Sequence, residues 1–570
     1  VLIFGIQKDH NSSVCAYKDG VLVYYCEEER LSREKKTPDL PINCINQFTN
    51  KFKSKIDMAI ITGYDTDSSI VSIGSYLKFL NLIHDIKNQV HSFYKSHHLL
   101  HAFKAFYDSG FKDAIVFVVD GRGSSYNLTN GSTGYETSSV YYFNENFYKC
   151  IYKKIYTNQK NINNLKINMY YEGNAPHKII PLSFDKKTKI EITNKMDVGH
   201  FYRAVSRHFN FNDEGGKLMG LSAYGKNNRN LEKIINSKDF FIKNSNDKFN
   251  LFEPIYINIK KYPQLVLNKN NDKNLNNLAF LTQKTFETNY RNLIKKNLNN
   301  DFSKNLILTG GTALNVVNNF KIKNYFKNNN LFVEPLCGDE GNSIAACQFF
   351  LKQRVNSNIK FNKLEHLFIG NEYNYKINYN NKKIIFKKIK LKEVVKLLIK
   401  GNIVALYQGK SEAGPRALGN RSLLLDPRII NGKDIMNKVK KRENFRPFAC
   451  SILEEKVQKW FNVKKLKESP FMMYAVNVVK KHKEKIKSIV HVDNTCRIQT
   501  ITENYNKILY QILKEFYKKT KVPILMNTSF NLANDPLIET PEDAIQMLEK
   551  SEFKYIYFAD KNLLACKLHS

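Results

Sequence analysis

Short apolar runs separated by polar loops set the pattern of the first part of this chain, and their lengths predict strands more often than long helices. VLIFGI (1–6) reads as a buried strand, QKDHNSS (7–13) as a loop, and VCAY (14–17) with VLVYY (21–25) as a hairpin joined through Lys18-Asp19-Gly20. Asp-Gly between apolar runs is a tight-turn signal. The same succession recurs at AIVFVVDGRGSS (114–125), followed by ETSSVYYF (136–143) and NENFYK (144–149). A strand and loop feeding a hairpin, present twice, predicts a duplicated architecture.

Further along, KNLILTGGTALNVVNN (304–319) reads as a buried strand, a Gly-Gly turn and a helix start. Such a turn presents backbone N–H groups to a phosphate. With the duplication, it predicts an actin-like ATPase fold whose paired loops face a nucleotide cleft. A helical QFFLKQR (348–354) then runs into the polar segment VNSNIKFNK (355–363), which places a domain boundary near residue 355. A second α/β unit follows, with strands at KKIIFKKIK (382–390) and NIVALYQG (402–409) and an amphipathic helix at LKEVVKLLIK (391–400). Two stretches dense in Lys and Asn, 226–275 and 374–395, read as solvated insertions or as a basic face.

Composition bounds the class. With 42% hydrophobic residues, 32 Tyr and 38 Phe, the chain is expected to fold, and 570 residues exceed one compact core. No stretch reaches the ~18 apolar residues of a membrane span, so a soluble cytoplasmic protein without a signal peptide is expected. The nine cysteines are scattered without a CxxC pair, which fits reduced thiols rather than zinc or disulfide scaffolding. The net charge of +36 has two readings, the codon bias of an AT-rich genome or a surface that attracts polyanions such as nucleic acid. Arginine use is more selective: of fourteen arginines, six (416, 421, 428, 442, 446 and 497) fall in one stretch of a chain that otherwise chooses Lys. The planar guanidinium suits bidentate recognition of phosphate or carboxylate, which makes this stretch the first site candidate.

Other residues carry chemistry by type and spacing. His97 and His101, in KSHHLLHAFKAFY (95–107), stand at i and i+4 on one helical face, a spacing that suits metal ligation. Asp120, at the end of AIVFVVD, and Asp339, in the turn CGDEGNS (337–343), are the carboxylates that would complete such a site. His10, in the loop after the first strand, is a candidate general base for a hydroxyl. The charged run Glu27, Glu28, Glu29 and Arg30 reads either as a solvated face or as part of an acceptor pocket. GKSEAGPRALGNRSLLLDPR (409–428), KVKKRENFRPFA (438–449), HVDNTCRIQT (491–500) and LMNTSFN (525–531) together predict a pocket for a compact phosphorylated substrate and a triphosphate.

Taken in order, GIQKDHNSS, EEERLSR, HHLLHA, VVDG, KLMGLSAYG, GGTALN, GDEGNS, GPRALGNRS, DPR, KKRENFRPFA, HVDNTCRIQT and NTSFN resemble the NodU/CmcH-type O-carbamoyltransferase family over almost the whole chain. The resemblance implies an α/β protein with an N-terminal duplicated actin-like, threonylcarbamoyl-transferase-like domain (1–355) and a C-terminal YrdC-like domain (356–570). In such enzymes the C-terminal domain forms carbamoyl-adenylate from carbamoyl phosphate and ATP with release of pyrophosphate, with Mg(II) as the expected companion of ATP. The carbamoyl group then passes to a hydroxyl in the N-terminal domain with the help of a divalent metal, described as Fe(II).

Carried over by position, His97, His101, Asp120 and Asp339 match the metal ligands, His10 the acceptor-activating histidine, and Gly310, Gly311 and Asn315 the nucleotide loop. Arg416, Arg421, Lys441, Arg446, Arg497, Asn527 and Ser529 match the region that binds ATP and carbamoyl phosphate. For the acceptor, the charge favours the hydroxymethyl group of 5-hydroxymethylcytosine in DNA, as in a viral branch that resembles the family, which would place the enzyme in a host cytoplasm. A small-molecule antibiotic, sugar or Nod-factor-like acceptor is the alternative. Threonylcarbamoyl modification of tRNA and a non-catalytic nucleic-acid-binding protein stand behind these, and a homodimer is a possible assembly.

Overall fold

The computed structural model describes residues 1–63, 67–93, 95–168, 178–179, 183–196, 198–211, 214–243, 255–268, 272–374 and 383–568. The Lys- and Asn-rich stretches 226–275 and 374–395 fall partly outside these residues, at 244–254, 269–271 and 375–382. Among the described residues no helix is long and apolar enough to cross a membrane.

The first sheet is organised around β1 (Leu2–Gln7), which is buried along nearly its whole length. β2 (Ser13–Lys18) pairs antiparallel with β1, and β3 (Val21–Glu27) antiparallel with β2. On the other edge of β1, Met58–Thr62 and then Val90–Phe93 run parallel to it. Parallel strands covered on both faces read as continuous apolar runs, which is why MAIIT and LIFGIQ lack alternation. β3 runs directly into the short helix α1 (Glu28–Ser32).

α2 (His97–Ser109) precedes the second sheet, whose central strand is β4 (Asp113–Val119). Thr133–Asn144 pairs antiparallel with β4 and then with Tyr148–Tyr156, while β5 (Asn305–Thr309) and Asn330–Val333 lie parallel on the other edge. The hairpin on one side and the parallel strands on the other repeat the order of the first sheet. β5 feeds α3 (Val316–Tyr325) through the turn Gly311–Leu314. α4 (Asn342–Phe350) packs on the first sheet and α2 on the second, and the two helices pack on each other. Both metal-type histidines and the Asp339 turn therefore lie in the seam between the sheets.

After α4 and one further turn, Leu351–Val355, the chain enters a mixed nine-stranded sheet. Its centre is built from β6 (Val404–Tyr407), β7 (Arg421–Leu425), β8 (Ala449–Leu453), β9 (Thr495–Ile501) and β10 (Ile524–Ser529), in the spatial order β6, β7, β10, β8, β9. α5 (Gly432–Lys440) follows β7. All nine cysteines are free and buried.

The run Glu27 to Arg30 is not a solvated face. Glu27, Glu28 and Arg30 are buried. The Glu28 carboxylate accepts the backbone N–H groups of Asn43 and Cys44 at 3.2 and 3.0 Å. It thereby caps the helix Ile42–Phe52, whose N-cap Pro41 supplies no side-chain acceptor.

Candidate functional site

Four side chains converge in the seam. His97 and His101 project from the first two turns of α2, Asp120 follows the last residue of β4, and Asp339 opens the turn that leads into α4. His97 Nε2 lies 3.4 Å from Asp120 Oδ2 and 3.4 Å from Asp339 Oδ1. His101 Nε2 lies 3.7 and 3.3 Å from the same two oxygens. All four donor atoms fall within 4.8 Å of one another. Burial works against charge on His97, but Asp339 and Asp120 outweigh it and raise its pKa to about 9. Burial likewise opposes charge on Asp120 and Asp339, and the neighbouring histidines hold both carboxyls below the usual range.

The donor chemistry fits a divalent first-row cation. Two imidazole nitrogens with two carboxylate oxygens form a mixed set that iron, manganese or zinc accepts. The carboxylate of Asp120 is oriented for it, because the Gly121 N–H donates to Oδ1 at 2.6 Å and leaves Oδ2 toward the histidines. Space is held open as well, since a Cβ on Gly311 would stand 3.1 Å from Asp120 Oδ1.

Asp120 and Asp339 line one end of a cavity of about 420 Å³ that continues to the third sheet. His10, Gly311 and Asn315 line it too. The Nδ1 atom of His10 is buried and has no hydrogen-bond partner. Gly310 stands behind this wall with φ +82, where a Cβ would meet the Val119 carbonyl oxygen at 2.5 Å, so only glycine fits.

At the far end, Arg416, Arg446, Lys440, Arg442 and Ser529 line the same cavity. Burial and the nearby Arg446 lower Arg416 to about 10 and Arg442 to about 9. Burial, then Arg416, Arg442 and Arg446, depress Arg497, and burial with Arg442 and Arg446 depresses Lys440. Cations that repel one another in a desolvated wall are stabilised by an anion; the carboxylates of Glu214 and Glu443 stand 3.9 and 3.7 Å from Arg446. Lys440 is held by Asn531 Oδ1 at 2.8 Å and by the Ser529 carbonyl oxygen.

Some expected residues stand elsewhere. Arg421 is fully buried and does not line the cavity; its guanidinium donates to the carbonyl oxygens of Gln408, Gly409 and Asn420 and stacks 3.7 Å over Tyr407. Lys441 is exposed at the left-handed C-cap of α5, which turns the chain so that Lys440 and Arg442 face the cavity instead. Asn527 lies in the core of β10, donating to Ser451 and Gln499 at 2.8 and 3.1 Å. Arg428 is turned onto Asp426 at 2.6 Å. Arg122 and Arg203, absent from the sequence reading, line the metal-cluster end. Arginine scarcity was the signal that points to them, as it does to Arg442.

Comparison with known proteins identifies the family. The family described as Carbamoyltransferase N-terminus matches residues 50–347, and the one described as Carbamoyltransferase C-terminus matches residues 395–564. An uncharacterized protein of Methanocaldococcus jannaschii is 28% identical, with 97% of each chain covered. Nodulation protein NolNO of Sinorhizobium fredii is 26% identical over 94% of this chain and 76% of its own. The 3'-hydroxymethylcephem-O-carbamoyltransferase of Streptomyces clavuligerus is 28% identical over 50% of this chain and 52% of its own. Among solved structures, full-length HypF aligns over 32% of this chain and 22% of its own, with 20% identity and a TM-score of 0.23. With the family match covering both the seam between the first two sheets and the third sheet, this chain belongs to the carbamoyltransferase family.

Proposed function

We propose that the chain is an ATP-dependent O-carbamoyltransferase with two reaction centres in one cavity. The observation that carries this reading is the cavity itself, lined by Asp120 and Asp339, the two carboxylates that close on His97 and His101, and by Arg416, Arg442, Arg446 and Lys440. The N-terminal unit is read as actin-like and the unit from residue 356 onward as YrdC-like, in keeping with the repeated strand order and the separate third sheet.

At the cationic end, water would cleave carbamoyl phosphate to phosphate and carbamate, and a carbamate oxygen would attack the α-phosphorus of ATP, expelling pyrophosphate and forming carbamoyl-adenylate. The arginines and Lys440 bind and orient the phosphates and offset the charge that develops on the departing pyrophosphate. Mg(II) accompanies ATP in this reading. At the other end, His10 takes the proton of the acceptor hydroxyl as its oxygen bonds to the carbamoyl carbon and AMP departs. A divalent cation held by His97, His101, Asp120 and Asp339, read here as Fe(II), would supply Lewis-acid stabilisation of the negative charge. A labile mixed anhydride calls for a site that limits the access of water.

We read the acceptor as a compact hydroxylated molecule, as in the printed name of the cephem-modifying relative. The net charge of +36 favours a second acceptor, 5-hydroxymethylcytosine in DNA, whose base would enter the cavity flipped from the stack. Incubation with ATP, carbamoyl phosphate and either a hydroxymethylcephem or an oligonucleotide containing 5-hydroxymethylcytosine, followed by mass spectrometry, separates them. Addition of one carbamoyl group to either identifies the acceptor class. Absence of pyrophosphate release in every arm, with iron supplied, rejects the two-step reading.

A further inference from the structure

The two ends of the cavity are tied by a buried strap whose Glu27, Arg30 and Gly414 form part of its wall. Glu27, the last residue of β3, and Arg30, in α1, are 6% and 3% exposed. Glu27 Oε2 accepts the Arg30 Nε–H at 3.1 Å. The pair then grips one glycine of the C-terminal unit from both sides: the Gly414 N–H donates to Glu27 Oε1 at 2.6 Å, and Arg30 donates to the Gly414 carbonyl oxygen at 2.7 Å. Gly414 has φ +83, so this reciprocal grip falls on a backbone conformation that a side chain would strain.

The same strap reaches both reaction centres. Two residues beyond Gly414, Arg416 extends into the cavity and donates to the Leu314 carbonyl oxygen at 3.1 Å, beside the nucleotide loop. In the other direction, the Tyr25 hydroxyl lies 3.2 Å from Glu27 Oε1 and 3.2 Å from the carbonyl oxygen of Glu340, the residue after Asp339. A path of polar contacts therefore runs from the Asp339 turn through Tyr25 and Glu27 to Gly414, and the backbone carries it two residues further to Arg416. A buried charge pair contributes little net stability, and its better-attested use is to specify one arrangement.

We propose that Glu27 and Arg30 are positioning residues that couple the two half-reactions, holding the Gly414–Arg416 segment against the Asp339 turn so that the adenylate is kept from water until an acceptor takes it. This rests on the two-step reading given above. Without the strap, the adenylate formed at the cationic end meets water, which attacks the carbamoyl carbon to give AMP and carbamate; carbamate then falls to ammonia and carbon dioxide.

The test needs no acceptor. The iron-loaded full chain is mixed with ATP and carbamoyl phosphate, and pyrophosphate and ammonia are followed together in time. Wild type is expected to release a stoichiometric burst of pyrophosphate and then slow. Because Arg30→Met alone strands a buried carboxylate, the double variant Glu27→Gln/Arg30→Met is used, with its fold checked by circular dichroism. It is expected to keep the burst while its steady release of pyrophosphate and ammonia rises about tenfold, less than the about 100-fold that a 1 Å misplacement can cost. Arg30→Lys, which keeps the charge, should restore part of the slow phase. A double variant that loses the burst has a damaged adenylation site, and one that matches wild type in both phases has no coupling defect; either result overturns the proposal. A wild type that releases no pyrophosphate at all rejects the two-step reading itself, and the proposal with it.

Discussion

His97 Nε2 and His101 Nε2 stand 3.2 Å apart, one turn from each other on α2, with Asp120 and Asp339 closing around them from two other elements. Two imidazolium groups would repel at that distance, whereas a single Nε2–H on one ring can donate to the lone pair of the other. The same four side chains bring two imidazole nitrogens and two carboxylates together in a set that could hold a metal ion.

The first prediction concerns that cation. The purified protein is expected to carry a stoichiometric divalent metal after reconstitution with iron, measured by atomic spectroscopy. His101→Ala should weaken metal affinity by more than about 100-fold, since loss of even an outer partner of a metal ligand costs about 10- to 100-fold. Metal should raise the melting temperature of wild type and leave that of the variant unchanged. Equal metal content in the two proteins would contradict the assignment.

Arg421 offers a prediction that separates structure from chemistry. Arg421→Lys should destabilise the fold by about 3 kcal/mol or more, measured by urea unfolding, because several buried carbonyl oxygens lose their donor. The KM for ATP of the folded variant should remain near that of wild type. A large rise in KM with unchanged stability would restore a direct phosphate contact.

The contrast between Arg421 and Arg446 shows how far the sequence could be read. The strands, both hairpins and the helical i and i+4 pairing of His97 and His101 follow from hydrophobic period and spacing, which are local properties. Asp120 and Asp339 were legible as carboxylates at strand and turn ends, yet only the packing of α2 and α4 brings them to the histidines. Six clustered arginines marked the right region, but which of them faces a cavity depends on strand parity and on one left-handed residue. Lys441 shows this, since its φ of 52 hands the cavity to its two neighbours. The run Glu27 to Arg30 left a solvated face and a pocket wall both open, because a charged run reads the same in either place, and the structure sets Glu27, Glu29 and Arg30 in the cavity wall.

A pH prediction follows from His200. Burial, then the charges of Arg203, Arg122 and Arg207, lowers its pKa from 6.5 to about 4. The unfolded chain therefore binds a proton at this site at a pH where the folded chain does not, so the contribution to stability is complete above pH 6.5 and is lost as the pH falls toward 4. His200→Phe, which can keep the edge contact with Tyr156 at 4.7 Å, should show a shallower loss of unfolding free energy across that window. Parallel curves for the two proteins would exclude the assignment.

The central claim is that one cavity holds two separable chemistries, and isotope exchange tests it directly. Labelled pyrophosphate should enter ATP in the presence of the enzyme and carbamoyl phosphate, because adenylate formation is reversible while the intermediate is held. Arg446→Ala should lower that exchange by about 100-fold, the scale of losing one charge-stabilising donor, whereas His97→Ala should retain exchange and lose transfer to a hydroxyl. Exchange that is absent in wild type, or abolished equally by both substitutions, would contradict the account.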